Sequence, residues 1–413
     1  MNRQSVQNLL RRLEELAKIT DEPGKITRTF ASPAMQRANT IITRWMREAG
    51  MTVRVDAIGN VIGHYAGKKS DAKILLLGSH LDTVRNAGKF DGPLGVLLAI
   101  ASVAELHRQK IRLPFAVEVI GFADEEGVRY QTTYLGSKAL AGCFDLKDLR
   151  RQDAAGITLA AAIQNFGGNP AQIGLAALNP KKLIGYLEAH IEQGPVLEKR
   201  DLAVGIVTAI AGQTRARLEF TGHAGHAGTT PMNLRQDALC AAAEFILAAE
   251  NLARKTSGLV ATVGQIKAEP GASNVIPGEV QLTLDLRHAQ DGIRQAMGLK
   301  LKQLMAQIAV RRKLKAKFEV VHTANAIDCS EKLSSLLTDS VKRIQRKAIA
   351  LPSGAGHDAA IMAKITPTAM LFVRCKKGIS HHPDESAKAG DVGIALAVLN
   401  DFILRLAKAY EAV

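Results

Sequence analysis

The chain has 413 residues, of which 47% are hydrophobic, and carries 54 Lys plus Arg against 39 Asp plus Glu, a net charge of +15. This composition indicates a globular protein of two or three domains and excludes an intrinsically disordered chain. Its apolar runs are far shorter than the roughly 20 residues of a membrane-spanning helix, so no membrane segment is expected. Charged residues at 11, 12, 14 and 15 interrupt the region where a signal peptide would be apolar, so we expect a cytoplasmic protein.

Residues 1–210 alternate amphipathic helices with short apolar strands. Helices are predicted at 6–16, 33–46 and 94–107. Strands are predicted at 52–57, 73–78, 116–122 and 183–191. Continuous apolar strands separated by helices are typical of a mostly parallel sheet covered on both faces. The pattern resumes near the C-terminus with a helix at 331–347, a buried strand at 368–373 and a helix at 392–410.

The intervening segment has a different order of elements. Strands are predicted at 216–221, 259–266, 279–287 and 317–322, with helices at 234–252 and from 293. The order β-α-β-β-α-β is that of a ferredoxin-like domain. We therefore predict an α/β protein with a discontinuous main domain, 1–212 and 328–413, in which helices flank a mostly parallel sheet. The ferredoxin-like α+β domain is inserted at 213–327.

Much of the positive charge lies in one segment. Residues 293–318 contain eight basic side chains and no acidic one, with apolar residues at helical spacing between them. The basic residues are therefore interpreted as the solvent-facing side of an amphipathic helix. Within this segment no aromatic residue, which could stack on bases, precedes Phe318. No nucleic acid partner is therefore expected. Binding of an acidic partner through this helix stays an alternative.

Side chains that bind metals follow several predicted strands. The five positions are His80 with Asp82, Asp91, Glu125 with Glu126, His190, and His381. Each has a structural alternative: a lone histidine is often structural, Asp91 could be a helix N-cap, and the acidic pair could be a solvated turn. Imidazole and carboxylate ligands without thiolates suit zinc, manganese or cobalt. A carboxylate shared by two ions would make a dinuclear hydrolytic site.

Motifs along the whole chain resemble those of one enzyme family. They are S-H-L-D-T-V, F-D-G-x-L-G-V, E-E-G-x-R-Y, H-I-E-Q-G-P-V-L-E, H-A-G-T-T-P-M, S-N-V-I-P-G, D-L-R, G-A-G-H-D-A and S-H-x-P-x-E. Their order is similar to that in the dinuclear-metal amidohydrolases related to aminoacylases and bacterial carboxypeptidases. The nearest branch contains allantoate amidohydrolase, N-carbamoyl-L-amino-acid hydrolase and β-ureidopropionase. The resemblance implies that the main domain is catalytic and that the inserted domain is a lid that also forms a homodimer.

The resemblance also implies a metal site with two divalent ions per subunit, zinc or manganese, with cobalt or nickel possible. His80 and His190 would hold one ion, Glu126 and His381 the other, and Asp91 would bridge them. Glu125 would be the general base, and Asp82 would orient His80. Peptidase relatives generally have a carboxylate where this chain has His190, which favours the ureido-hydrolysing branch.

By the same resemblance, a second group of residues binds the substrate. It comprises Gln213, His226, Asn274 and Arg287 on the lid, and Gln193, Gly356 and His357 on the catalytic domain. His226 would come from the partner subunit and stabilise the oxyanion. The implied enzyme is a hydrolase of carbon–nitrogen bonds other than peptide bonds, acting on a small ureido acid with release of ammonia and CO2. The pattern M-x-L-R-x-D-A-L at 232–239 favours allantoate. An L-carbamoylase, a β-ureidopropionase and a dipeptidase or aminoacylase stay open.

Overall fold

A computed structural model, which describes residues 3–411, divides the chain into two compact units. The first unit contains the residues up to 208, 329–351, and those from 355 onwards. The second contains Ala209–Asp328 and Pro352–Gly354. The sequence-based boundaries did not anticipate that Pro352–Gly354 groups with the second unit. It does so because Ala211 N donates a hydrogen bond to Ser353 O at 2.8 Å.

The helices and strands of both units are as follows. The helices are α1 (Arg3–Ala17), α2 (Pro33–Glu48), α3 (Pro93–Arg108), α4 (Leu135–Leu140), α5 (Leu159–Asn165), α6 (Val196–Arg200), α7 (Ala238–Lys255), α8 (Asp291–Arg311), α9 (Glu331–Gln345), α10 (Asp358–Met362) and α11 (Ala389–Glu411). The strands are β1 (Thr52–Val55), β2 (Val61–Tyr65), β3 (Ile74–His80), β4 (Ala116–Phe122), β5 (Leu183–Ile191), β6 (Val204–Ile210), β7 (Gly212–Thr221), β8 (Gly225–His226), β9 (Val260–Glu269), β10 (Val275–Ile276), β11 (Glu279–His288), β12 (Lys315–Ala324), β13 (Ile327–Asp328), β14 (Ala350–Ser353) and β15 (Thr368–Val373). No helix within residues 3–411 is long and apolar enough to cross a membrane.

The large sheet has the strand order β1-β2-β4-β3-β5-β15-β6-β13, and β14 also pairs with β6. Its centre is parallel, because β3 runs parallel to both β4 and β5, and β15 runs parallel to β5. Strands β1, β2 and β6 pair antiparallel at the flanks. Every residue of β4 and β15 is buried, as expected for strands covered on both faces. The carboxyl ends of the parallel strands therefore meet at one edge, where the candidate ligands lie.

The second unit has the predicted β-α-β-β-α-β order. Its antiparallel sheet has the order β12-β7-β11-β9, and α7 and α8 pack on it around one apolar core. Helix α7 begins at Ala238, four residues later than predicted, because the Asp237 side chain accepts hydrogen bonds from Leu239 N and Cys240 N and caps it there. Leu234, the first residue of the predicted helix, instead ends a separate 3₁₀ turn, Met232–Leu234.

Arg294 differs from the interpretation of the basic helix. It is fully buried rather than solvent-facing, and its guanidinium donates to Asp291 Oδ1 and to Gln213 O. Lys300 and Lys302 of α8 are exposed as predicted, and Leu301 is buried against the sheet. An arginine satisfied by a carboxylate and a carbonyl is tolerated in a core, where an unpaired cation would not be.

Candidate active site

The candidate site lies where the central parallel strands end. His80 is the last residue of β3, His190 is the penultimate residue of β5, and Glu125 and Glu126 follow β4. Asp91 precedes α3, and its side chain is almost completely buried. This edge is the usual location of ligand sites in open α/β sheets.

Two histidines direct Nε2 at the Asp91 carboxylate and, when protonated there, donate to it. His80 Nδ1 lies 3.0 Å from Asp82 O, and His190 Nδ1 lies 3.0 Å from Ile191 O. A carbonyl oxygen only accepts hydrogen bonds, so in each neutral ring Nδ1 carries the proton and Nε2 keeps a lone pair. These Nε2 atoms lie 3.6 Å and 3.0 Å from the same oxygen, Asp91 Oδ1. Such fixed tautomers are typical of metal-binding histidines.

Asp91 belongs to two sets of potential ligands. One set is His80, Asp91 and His190, and the other is Asp91, Glu126 and His381, each with ligand atoms within 4.8 Å of one another. In the second set His381 Nε2 lies 3.1 Å from Asp91 Oδ2 and 3.2 Å from Glu126 Oε1. Asp91 thus turns one oxygen towards each set. His382, the neighbouring candidate, is exposed and lies 3.7 Å from Asp384 instead.

The charges of these groups fit cation binding. Burial would raise the pKa of Asp91, but hydrogen bonds from His190, His381 and His80 outweigh it and hold that pKa well below its usual range. Hydrogen bonds to Asp91 and Glu126 raise the pKa of His381 to about 10. Protons on the histidines therefore balance the carboxylates here, and divalent ions would take over that role. The nitrogen and oxygen donors suit zinc or manganese.

Glu125 is held by Asp82. The Asp82 carboxylate accepts hydrogen bonds from Glu125 N at 3.0 Å and from Glu126 N at 3.1 Å. The Asp82 side chain was predicted to orient the His80 ring, but its Oδ1 lies 3.4 Å from His80 Nδ1. The main-chain oxygen of Asp82 lies closer to that nitrogen, at 3.0 Å. Burial, followed by repulsion from Glu126, raises the pKa of Glu125 well above its usual value. A buried carboxyl that binds protons readily can act as a general base and acid.

Sequence reasoning singled out Gln193 but missed two other residues that fix Asp91. Gln193 Nε2 donates to Asp91 Oδ2 at 2.9 Å and Ser380 Oγ donates to it at 2.5 Å. Glu385 Oε1 accepts from Phe90 N at 2.7 Å and from Asp91 N at 3.1 Å. Ser380 and Glu385 are the first and last letters of the S-H-x-P-x-E motif, so the signal was present in the sequence.

His357 lies beside His190, and Gly356 lies beside Glu125. The His357 ring packs edge-to-face on His190, with centroids 4.6 Å apart, and is buried. Burial, and then His190, lower the pKa of His357 well below its usual value, so the ring is neutral. A Cβ on Gly356 would lie 3.8 Å from Glu125 Oε1, which places this glycine beside the candidate base.

Comparison with known proteins identifies the family. Residues 76–405 match the peptidase family M20/M25/M40. The chain belongs to this M20 family. It is 42% identical to allantoate deiminase 1 of Glycine max, covering 94% of this chain and 87% of that protein. It is 39% identical to an N-carbamoyl-L-amino acid amidohydrolase of Geobacillus stearothermophilus, covering 97% and 98%.

A solved structure is similar throughout. The hydantoinase/carbamoylase family amidase of Burkholderia multivorans superposes with a TM-score of 0.92 at 33% identity, covering 97% of this chain and 98% of that one. The discontinuous α/β architecture of the M20 chain is therefore that of the hydantoinase/carbamoylase amidases.

The second unit of this M20 chain contains the other predicted residues in two groups. In the first group, Asp285 accepts from Gln213 Nε2 at 2.6 Å and from Arg287 Nε at 2.8 Å. In the second, His226 pairs across β8 and β10 with the residue after Asn274, and Ala227 N donates to Asn274 O. His226 Nδ1 accepts from Gly228 N at 3.0 Å, so the neutral ring carries its proton on Nε2, ready to donate. The sequence did not single out Asp285.

Proposed function

We propose that this M20-family protein is a metal-dependent amidohydrolase that cleaves a C–N bond of a small ureido acid and releases ammonia and CO2. The proposed substrate is allantoate, which would give ureidoglycine. The main support is the position of Asp91 between two ligand sets next to Glu125. The allantoate deiminases among its relatives, at about 40% identity over nearly the full chain, support the substrate.

The five candidate ligands would hold two divalent ions. His80 and His190 would bind one, Glu126 and His381 the other, with Asp91 between them. We propose zinc or manganese, with cobalt or nickel as substitutes. Bound ions of this kind supply acidified water and polarise the substrate carbonyl.

Glu125 would move the protons of the reaction. Its buried carboxylate accepts a proton from the attacking water and, once protonated, donates it to the nitrogen that leaves. The two hydrogen bonds from the backbone to Asp82 fix the turn on which Glu125 sits, so the side chain needs little reorganisation.

Binding of the ureido acid would involve the second unit. We propose that Arg287 binds the substrate carboxylate with Gln213 and Asn274, and that Gln193, Gly356 and His357 contact it from the first unit. In a homodimer formed through the second unit, His226 of the other subunit would donate from Nε2 to the tetrahedral oxyanion. A planar, doubly donating guanidinium matches a carboxylate better than a lysine does. We propose a cytoplasmic enzyme without a nucleic acid or membrane partner.

The second candidate function is hydrolysis of N-carbamoyl-L-amino acids. It is favoured by the Geobacillus stearothermophilus relative, whose identity to this chain is 39%. Both substrate types place a ureido group beside a carboxylate, so the same catalytic groups serve either. They differ in the side chain, which is a second ureido group in allantoate.

The test is ammonia release by protein reconstituted with manganese or zinc. Allantoate and a panel of N-carbamoyl-L-amino acids are offered side by side, with Glu125→Gln as the inactive control. Ammonia from allantoate, lost in Glu125→Gln, is the expected result. Turnover of N-carbamoyl-L-amino acids but not of allantoate would assign the second function. No ammonia release from any ureido acid would overturn both.

A further inference from the structure

Tyr134 belongs to the turn that carries Glu125. It directly precedes α4, and its backbone N–H donates to Glu125 O at 3.1 Å. Its backbone is in the left-handed region, with φ 64° and ψ 31°. A non-glycine residue is held there only when the surrounding structure fixes it, and such residues are frequent at functional sites. The fold therefore holds the Tyr134 backbone in a conformation that a non-glycine residue disfavours, and this fixes the position of its side chain.

The Tyr134 hydroxyl lies directly over Gly356. A Cβ on Gly356 would be 1.9 Å from Tyr134 Oη and 3.2 Å from its Cζ, and 3.8 Å from Glu125 Oε1. The ring is rigid, so any side chain at Gly356 would displace it. The lack of a side chain at 356 thus makes room for the hydroxyl beside the candidate base.

This hydroxyl has no hydrogen-bond partner within residues 3–411, although most of the tyrosine is buried. Three other tyrosines are satisfied: Tyr65 donates to Ile111 O, Tyr130 to Thr158 O, and Tyr186 to Gly78 O. Burial, and then the charges of Glu125 and Asp358, raise the pKa of Tyr134 well above its usual value, so the phenol stays protonated. The hydroxyl reaches solvent, so a substrate that excludes water from it must supply an acceptor or leave this donor unpaired.

We propose that Tyr134 determines specificity by donating a hydrogen bond to an acceptor on the arm of the substrate that is not cleaved. In allantoate this acceptor is the carbonyl oxygen of the second ureido group. An apolar side chain would leave the hydroxyl unpaired, so the same residue disfavours N-carbamoyl derivatives of apolar amino acids. The inference rests on the proposed hydrolysis of ureido acids, and its test separates the two candidate substrates.

The first experiment compares Tyr134→Phe with Tyr130→Phe, a matched loss of a hydroxyl four residues away. We measure kcat/KM for allantoate and for N-carbamoyl-L-valine with the metal-loaded enzyme. Loss of one neutral hydrogen bond should lower the allantoate value about tenfold in Tyr134→Phe. The N-carbamoyl-L-valine value should stay or rise, and Tyr130→Phe should leave the ratio unchanged. An equal fall for both substrates, or no change for either, would overturn the proposal.

Binding separates this inference from the proposed function. Calorimetric titration of allantoate into metal-loaded Glu125→Gln and Glu125→Gln/Tyr134→Phe should give affinities that differ about tenfold. Binding that is equal in the two variants would refute the role of Tyr134 and leave the proposed function standing. A protein that does not bind allantoate at all would refute both.

A double-mutant cycle tests the placement of the hydroxyl. Gly356→Ala puts a methyl group 1.9 Å from Tyr134 Oη, but in Tyr134→Phe the nearest ring atom, Cζ, is 3.2 Å away. Gly356→Ala should therefore reduce kcat/KM for allantoate less in the Tyr134→Phe background than in the wild type. If the fold-reductions in kcat/KM of the two single variants multiply to give that of the double variant, the contact between residue 356 and the Tyr134 hydroxyl is contradicted.

Discussion

Asp82→Asn tests how the fold positions the catalytic turn. In the structure both Asp82 oxygens accept a backbone hydrogen bond, from Glu125 N at 3.0 Å and from Glu126 N at 3.1 Å. Asparagine has one carbonyl oxygen, and its NH2 group would face the other N–H, so one charge-assisted bond is lost. Such a bond contributes about 1.5–3 kcal/mol. Supporting changes of this kind reduce metal affinity or activity about 10- to 100-fold, which is the loss we expect here.

The assay separates the two possible losses. Metal content is measured after dialysis against a competing chelator, and kcat is measured at saturating metal. The control is Asp237→Asn, because Asp237 also accepts two backbone hydrogen bonds, from Leu239 N and Cys240 N, but in the second unit. Both of these bonds go to Oδ1, which asparagine keeps as its carbonyl oxygen, so that variant loses only the charge and should retain its stability and its metals. If Asp82→Asn keeps both its metal and its kcat, the reasoning about the turn is refuted.

Three further predictions follow from other contacts. Asp285→Asn removes the negative charge and one of the two oxygens that accept from Gln213 and Arg287, so KM for the ureido acid should rise about tenfold with kcat retained; an unchanged KM would contradict this role. Burial opposes ionisation of Glu118, but His64 and Arg54 outweigh it and lower its pKa, so its stabilisation is present above the unfolded pKa and is lost as pH falls through the folded one. Urea unfolding at pH 7 and pH 3.5 should therefore show a smaller stability loss for Glu118→Gln than for the wild type, and equal losses would argue against it. Chelation should abolish ammonia release, and because the pKa of His381 is raised to about 10, metal rebinding near neutral pH should release protons to an indicator dye; binding without proton release would contradict the protonated cluster.

The parts of the fold that carry the ligands are also the parts that the sequence predicted well. The apolar runs 116–122, 183–191 and 368–373 match the observed bounds of β4, β5 and β15. A strand buried on both faces needs an unbroken apolar run, and its end is visible where polar residues begin. The positions of His190 and Glu125 at strand ends follow directly from that pattern.

Two strands at the flanks of the large sheet, β2 and β6, were missed, although the edge strand β1 was predicted. Strand β2 contains Gly63 and His64, and β6 begins Val204-Gly205, so neither has a continuous branched apolar run. Gly63 lies against Met51, since a Cβ there would be 2.8 Å from its sulfur. Close packing of this kind is set by tertiary contacts that a single sequence does not display.

Supporting residues were the harder part of the site. Glu188 lies two residues before His190, so alternation along β5 puts both on one side of the sheet. It is buried and accepts from Ser79 Oγ and Ala359 N, partners that are distant in sequence. Long-range partners such as these emerge only when the chain is folded, whereas the candidate ligands were predicted from motifs.

The most direct test of the account is the number and position of bound metal ions. We would crystallise the protein with manganese and record anomalous diffraction. The account predicts two peaks, one beside His80 and His190 and one beside Glu126 and His381, with Asp91 contacting both. A single peak, or an Asp91 that contacts only one of two ions, would contradict the proposed dinuclear site.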